Sequence, residues 1–175
     1  MRLKRIFMLI PMITILMTTK TYAQTYPNFN TITEFLEQLP GNIAVYYQNL
    51  ETGFTYGYKD NAPFYPASLN KAAMALEIYK SHINLSDIHK LTAQSIKKGT
   101  GLLQHHPLQT SYSTAELLEY LIVHSDNTAQ NILKNAYALE VVNSANAYQI
   151  ALLTREIYEY IEGDCEKSQK FKQDL

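Results

Sequence analysis

The sequence predicts an α+β domain, mostly helical with an N-terminal β-hairpin, and three observations predict it. Two short runs rich in β-branched and aromatic residues, Asn42 to Tyr47 and Phe54 to Tyr58, flank the turn-forming segment Asn49-Leu50-Glu51-Thr52-Gly53. Apolar side chains then recur at helical spacing from Ser68 to Ile83 and again from Ala147 to Ile161. Two segments, Thr31-Ile32-Thr33-Glu34 and Ser113-Thr114-Ala115-Glu116, have the reciprocal capping pattern that opens helices.

Taken in order, the chain starts with Arg2, Lys4 and Arg5, an apolar run from Ile6 to Met17, and the small-residue pattern Thr21-Tyr22-Ala23. This is the three-part layout of a secretory signal peptide over residues 1–23. The run is short of the about 20 apolar residues of a membrane-spanning helix. The expectation is therefore cleavage after Ala23, export to the periplasm or the exterior, and no stable membrane association; an uncleaved anchor is the alternative. Residues 24–163 read as one domain. Its first helix opens at Thr31 and is closed by Pro40-Gly41, and the hairpin follows. Pro66 stands just ahead of the helix carrying Leu69, Ala72, Ala73, Leu76, Tyr79 and Ile83. Helices follow from Ser113 through Val123, from Thr128 to Ala136, and from Ala147 with Ile150, Leu153, Ile157 and Ile161 along one face. Residues 164–175 are polar and read as a frayed tail, with Cys165 in it and without a role.

Composition excludes several classes. Among 175 residues the net charge is −1, which leaves no nucleic-acid or membrane-surface footprint. A single cysteine offers no internal disulfide. His82, His89, His105, His106 and His124 have no zinc-ligand spacing, so no metal or other cofactor is expected. The expected partner is a small molecule, and the expected state a monomer.

The chemistry is carried by three segments. Ser68 and Lys71 are three apart at a helix start, so both lie on one face and a lysine one turn in can reach the serine hydroxyl. An unassisted serine is a poor nucleophile and needs such a base or cation. The helix N-terminus adds partial positive charge and backbone N–H groups for a developing oxyanion. A second Ser-x-x-Lys, Ser95 and Lys98, runs into Gly99-Thr100-Gly101 with no apolar face behind it and reads as a solvated loop. Ser125-Asp126-Asn127 lies between two helices. Ser125 is suited to pass a proton, Asn127 to bind a substrate amide, and Asp126 to accept backbone N–H bonds; the bland reading of the three is a helix N-cap cluster.

Ser68-Leu69-Asn70-Lys71 followed by Ser125-Asp126-Asn127 resembles the first two signatures of class A β-lactamases and penicillin-binding proteins. Tyr56-Gly57-Tyr58-Lys59, Gly99-Thr100-Gly101-Leu102 and His124 to Asn131 resemble the family's surrounding segments. The resemblance implies a β-lactamase/transpeptidase-like fold. It also implies Ser68 as acylated nucleophile, Lys71 as its activating base or polariser, Ser125 as proton shuttle and Asn127 as substrate-binding amide. It further implies β-lactam hydrolysis through an acyl-serine, or action on D-alanyl peptides. The family's Lys-Ser/Thr-Gly signature does not follow Ser125; the nearest segment, Lys167-Ser168-Gln169, lacks the glycine. Tyr137 to Asn146 is too short for the loop bearing the deacylating glutamate, and that role is not carried onto Glu140. The chain thus reads as a shortened member without the C-terminal strands, its hairpin left with an unpaired edge. The alternative function is a truncated pseudoenzyme, or a penicillin- or peptidoglycan-binding module, without turnover.

Overall fold

The computed structural model describes residues 28–175. The signal-peptide reading of residues 1–23 lies outside them. The predicted helices and N-terminal hairpin appear in the predicted order, with the helices dominating, and two short strands and a last helix are added to them.

Helix α1 (Phe29–Gln38) is capped by Asn28, whose side chain accepts from the Asn30 N–H. The expected capping box at Thr31 does not form, because Thr31 already lies inside the first turn. α1 packs on the hairpin through Phe29, stacked 4.6 Å from Tyr56 and 5.0 Å from Phe54. The hairpin pairs β1 (Val45–Gln48) with β2 (Thr55–Tyr58) in antiparallel register, Val45 opposite Tyr58 and Gln48 opposite Thr55. Asn49 closes its loop by accepting from the N–H groups of Glu51 and Thr52. Among the described residues β1 pairs only with β2, so its other edge is open.

Helix α2 (Leu69–Lys80) follows, then β3 (Ile88–Lys90), a 3-10 turn at Leu103–His105, and β4 (Ser111–Ser113), which pairs antiparallel with β3. This second hairpin was not evident from sequence: three-residue strands carry too little alternation to be read. α3 (Thr114–Val123) opens on the predicted capping box, with Ser113 and Glu116 exchanging side-chain and backbone bonds. That pairing also holds the Glu116 carboxyl below its ordinary range. α4 (Asn127–Tyr137) and α5 (Ala147–Ile161) follow the predicted stretches closely.

The core lies among α2, α3 and α4, where Met74, Ile78, Leu117, Leu118, Leu121, Ala129 and Leu133 are buried. α5 lies against β1. The expectation of a frayed tail is corrected. Glu166–Asp174 form α6, and Cys165 is its N-cap, accepting from the Ser168 N–H. The polar sequence folds because one aromatic anchors it: Phe171 is fully buried and stacks on Tyr79 at 4.7 Å. Polar ties finish the docking. Tyr79 donates to Asp174, and Lys167 donates to the carbonyls of Ser81 and Ile83 at the end of α2, where a cation is favoured. No helix among the described residues is long and apolar enough to cross a membrane.

Candidate functional site

The turn before α2 presents Ser68. Pro66 is buried, Ala67 takes a left-handed conformation at φ 48°, and Ser68 follows as the exposed N-cap residue. Its hydroxyl makes no capping bond to the helix, so it is left for other partners. The partner is Ser125, whose hydroxyl donates to Ser68 Oγ at 3.1 Å. Ser125 is itself left-handed, at φ 48°. Ala67 and Ser125 are thus two non-glycine residues held in this conformation beside the Ser68–Ser125 hydrogen bond, a form of strain that persists only where the surroundings over-determine it.

Lys71 is buried beneath this pair. Its ammonium donates to the Ser125 carbonyl, to Ser125 Oγ at 2.9 Å and to Asn127 Oδ1 at 2.8 Å. The expectation of a direct Lys71–Ser68 hydrogen bond is therefore corrected. An ammonium has three donors, and the 125–127 segment takes all three, so Lys71 reaches Ser68 through Ser125. Burial pushes the Lys71 amine below its ordinary value, with the Asp126 charge partly opposing.

The helix N-terminus also differs from expectation. The N–H groups of Leu69, Asn70 and Lys71 donate to Pro66, Ala67 and Ser68 carbonyls, so they are not free for an oxyanion. The N–H of Ser68 itself carries no hydrogen bond among the described residues.

Asp126 is the support of the opposing segment. It is 1% exposed; Oδ1 accepts from the N–H groups of Thr128 and Ala129, and Oδ2 from those of Leu102 and Leu103. It thus caps α4 and ties the loop around residue 101 to the site. Gly101, at φ 113°, passes so close that a Cβ there would stand 2.3 Å from the Asp126 carboxylate. Asn127 spends its amide on Lys71 and, through Nδ2, on the Lys98 carbonyl at 3.3 Å. Each end keeps one further position, a lone pair on oxygen and a hydrogen on nitrogen. The Ser95–Lys98 segment is a loop, as expected, and frames the site through that carbonyl.

A family model described as the beta-lactamase enzyme family matches residues 28–156. The chain belongs to that family. Solved structures share its fold. A beta-lactamase from Sphaerobacter thermophilus aligns at TM-score 0.63 and 21% identity, over 70% of this chain and 59% of that one. PBP-A aligns at 0.72 and 18%, over 83% and 66%; a PBP-A variant solved as an acyl-enzyme complex with penicillin G gives 0.72 and 18%, over 83% and 67%. A beta-lactamase from Chitinophaga pinensis aligns at 0.71 and 17%, over 84% and 68%. The chain spans about three fifths to two thirds of the length of these relatives. No curated protein matches the sequence.

Within this family member, Glu140 is exposed, and among the described residues no carboxylate hydrogen-bonds to Ser68 or Lys71. No cluster of three His, Cys, Asp or Glu side chains is placed to hold a metal ion among those residues. A groove of about 910 Å³ adjoins the turn before α2, lined by Tyr47, Tyr65, Pro66, Leu69 and Tyr158 among others. Sequence reasoning missed Asn70, which is buried between Ser68 and Lys71. An asparagine there carried no local signal, since its partner is 72 residues away.

Proposed function

We propose that the chain is a serine acyl-transfer hydrolase acting on β-lactams. The observation that carries this reading is the hydrogen-bonded series from Lys71 through Ser125 to Ser68, with the serine exposed and the amine buried and depressed. In the neutral form, Lys71 takes a proton from Ser125, which takes one from Ser68. Ser68 Oγ then bonds to the lactam carbonyl carbon, and the ring C–N bond breaks. Ser125 passes a proton to the ring nitrogen and takes one back from Lys71, which restores both groups; a water then cleaves the ester to a carboxylic acid and free Ser68. The unpartnered Ser68 N–H is suited to the developing oxyanion. Asn127 is suited to the substrate amide through its two remaining positions. Family membership and the PBP-A acyl-enzyme support the substrate class. The basic start, apolar run and Thr21-Tyr22-Ala23 support export, where such substrates are met.

The test is incubation of the purified chain with a fluorescent penicillin, followed by mass spectrometry of the Ser68 peptide. An adduct on Ser68 that is absent from Ser68→Ala is expected. Folded protein that stays unlabelled removes the reading.

A second reading, acylation with little turnover, is favoured by a specific observation. Ser68 has no carboxylate partner among the described residues, and the groove beside β1 is open. A missing general base typically costs a factor of about 10²–10⁴ in rate. On this reading the acyl-enzyme accumulates, as a penicillin-binding module requires. Multiple-turnover hydrolysis of a chromogenic β-lactam separates the two readings.

A further inference from the structure

We propose that Asn70 is a positioning residue for Ser68: its side-chain amide fastens the 139–146 loop to the turn that presents the nucleophile. This role rests on the acyl-transfer reading of Ser68. Asn70 lies in the first turn of α2 and is 7% exposed. A polar side chain in that position costs free energy unless its hydrogen bonds are made. Nδ2 donates to the Val142 carbonyl at 2.9 Å, and Oδ1 accepts from the Val142 N–H at 3.2 Å. The amide thus pairs with both backbone groups of one residue, as a neighbouring strand would.

The second hydrogen of Nδ2 completes the device. It reaches the Ala67 carbonyl at 3.2 Å, which also receives the Asn70 backbone N–H at 3.4 Å. Ala67 is the left-handed residue immediately before Ser68, and its conformation must be held by its surroundings. On the other side of the turn, Phe64 and Ala145 exchange two backbone bonds, at 2.8 and 2.9 Å. The nucleophile turn is therefore tied to one loop both before and after Ser68. The Phe64–Ala145 tie uses backbone alone and suits many sequences. The Val142 tie depends on a side chain that donates twice and accepts once. Aspartate cannot donate when ionised, and an apolar residue does neither.

Asn70→Ala and Asn70→Asp test this, with three readouts: the rate of penicillin labelling of Ser68, the thermal melt, and hydrogen exchange at the Val142 amide. Asn70→Ala is expected to label about tenfold more slowly or worse while melting cooperatively, since small misplacements of a reacting group cost rates of this order. Its Val142 amide is expected to exchange faster. Asn70→Asp keeps the acceptor for Val142 but loses both donors when ionised. Its labelling, as a ratio to the unsubstituted chain at each pH, is expected to be low at neutral pH and to recover as the carboxyl protonates and regains a donor. If Asn70→Ala does not fold, the pH profile of Asn70→Asp decides alone. Both variants labelling at the unsubstituted rate across pH overturns the role of Asn70 only. An unsubstituted chain that takes no label overturns the acyl-transfer reading, and the role with it, before any variant is compared.

Discussion

Ser125 Oγ stands 3.1 Å from Ser68 Oγ and 2.9 Å from the Lys71 ammonium, so the second hydroxyl bridges the lysine and the first serine. A serine three residues before a lysine normally suggests a direct contact along the helix. Here the helix supplies the spacing, but the opposing segment supplies the connection.

That bridge makes Ser125→Ala informative. The substitution leaves Lys71 its bonds to the residue-125 carbonyl and to Asn127, so the amine stays in place. It removes the relay. Penicillin labelling of Ser68 is expected to slow by about 10²–10⁴, the range of a lost proton-transfer group, with the melting temperature nearly unchanged. Labelling within a factor of about three of the unsubstituted chain would show that protons leave Ser68 by another path.

Lys71 sets the pH dependence. Its folded-state value lies below the ordinary 10.5 because burial disfavours the charge. Between the lowered value and 10.5 the unfolded chain binds more protons than the folded one. Stability therefore rises with pH across that window, and the contribution is lost as pH falls through the lowered value. The labelling rate is expected to rise with pH through the lowered value, as the neutral amine becomes available to take a proton. Lys71→Arg, which stays charged throughout, is expected to abolish that rise. A rate profile that is flat for both chains would remove Lys71 as the base.

Asp126 joins the site to the fold, and Asp126→Asn isolates that function without changing its volume. One end still accepts from Thr128 and Ala129, but the other sets an NH₂ group against the N–H groups of Leu102 and Leu103. The buried Leu103 N–H and the part-buried Leu102 N–H lose their acceptor, at about 1–3 kcal/mol for the buried one and less for the other. A loss of about 1–4 kcal/mol is expected in denaturant titration, together with faster exchange at the Leu102 and Leu103 amides. An unchanged titration midpoint would mean that the 101–103 loop relaxes away freely.

Much of the fold and part of the site could be read from sequence because the deciding signals were local. The Ser113–Glu116 capping box formed as written, since both partners lie within one turn. Ser68 and Lys71 fell at a helix start because apolar spacing marked that helix. Where distant groups decide, local pattern said less. The acceptors of Lys71 lie 54 and 56 residues away; the Ser125-Asp126-Asn127 tripeptide pointed to them, but nothing near residue 71 showed that they would take all its donors. Asn28 capped α1 in place of Thr31, a choice between two competent caps three residues apart. The β3–β4 pair is too short to show a period.

The C-terminal helix is the clearest case of a single residue overruling composition. α6 is polar by sequence, yet Phe171 is fully buried against Tyr79 and lies 6.2 Å from Tyr160. The Tyr160 hydroxyl in turn donates to the Tyr79 carbonyl at 2.9 Å, so α2, α5 and α6 meet at these three rings. Phe171→Ala would leave a ring-sized void there, at a cost of about 3–5 kcal/mol. For a chain of this size that corresponds to a melting temperature lower by roughly 6–20 °C. Phe171→Leu, which refills much of the space, is expected to recover a large part of the loss. Calorimetry of the two variants distinguishes the readings: a tail without structural weight would leave both within about 2 °C of the unsubstituted chain. A docked helix separates them in the order stated.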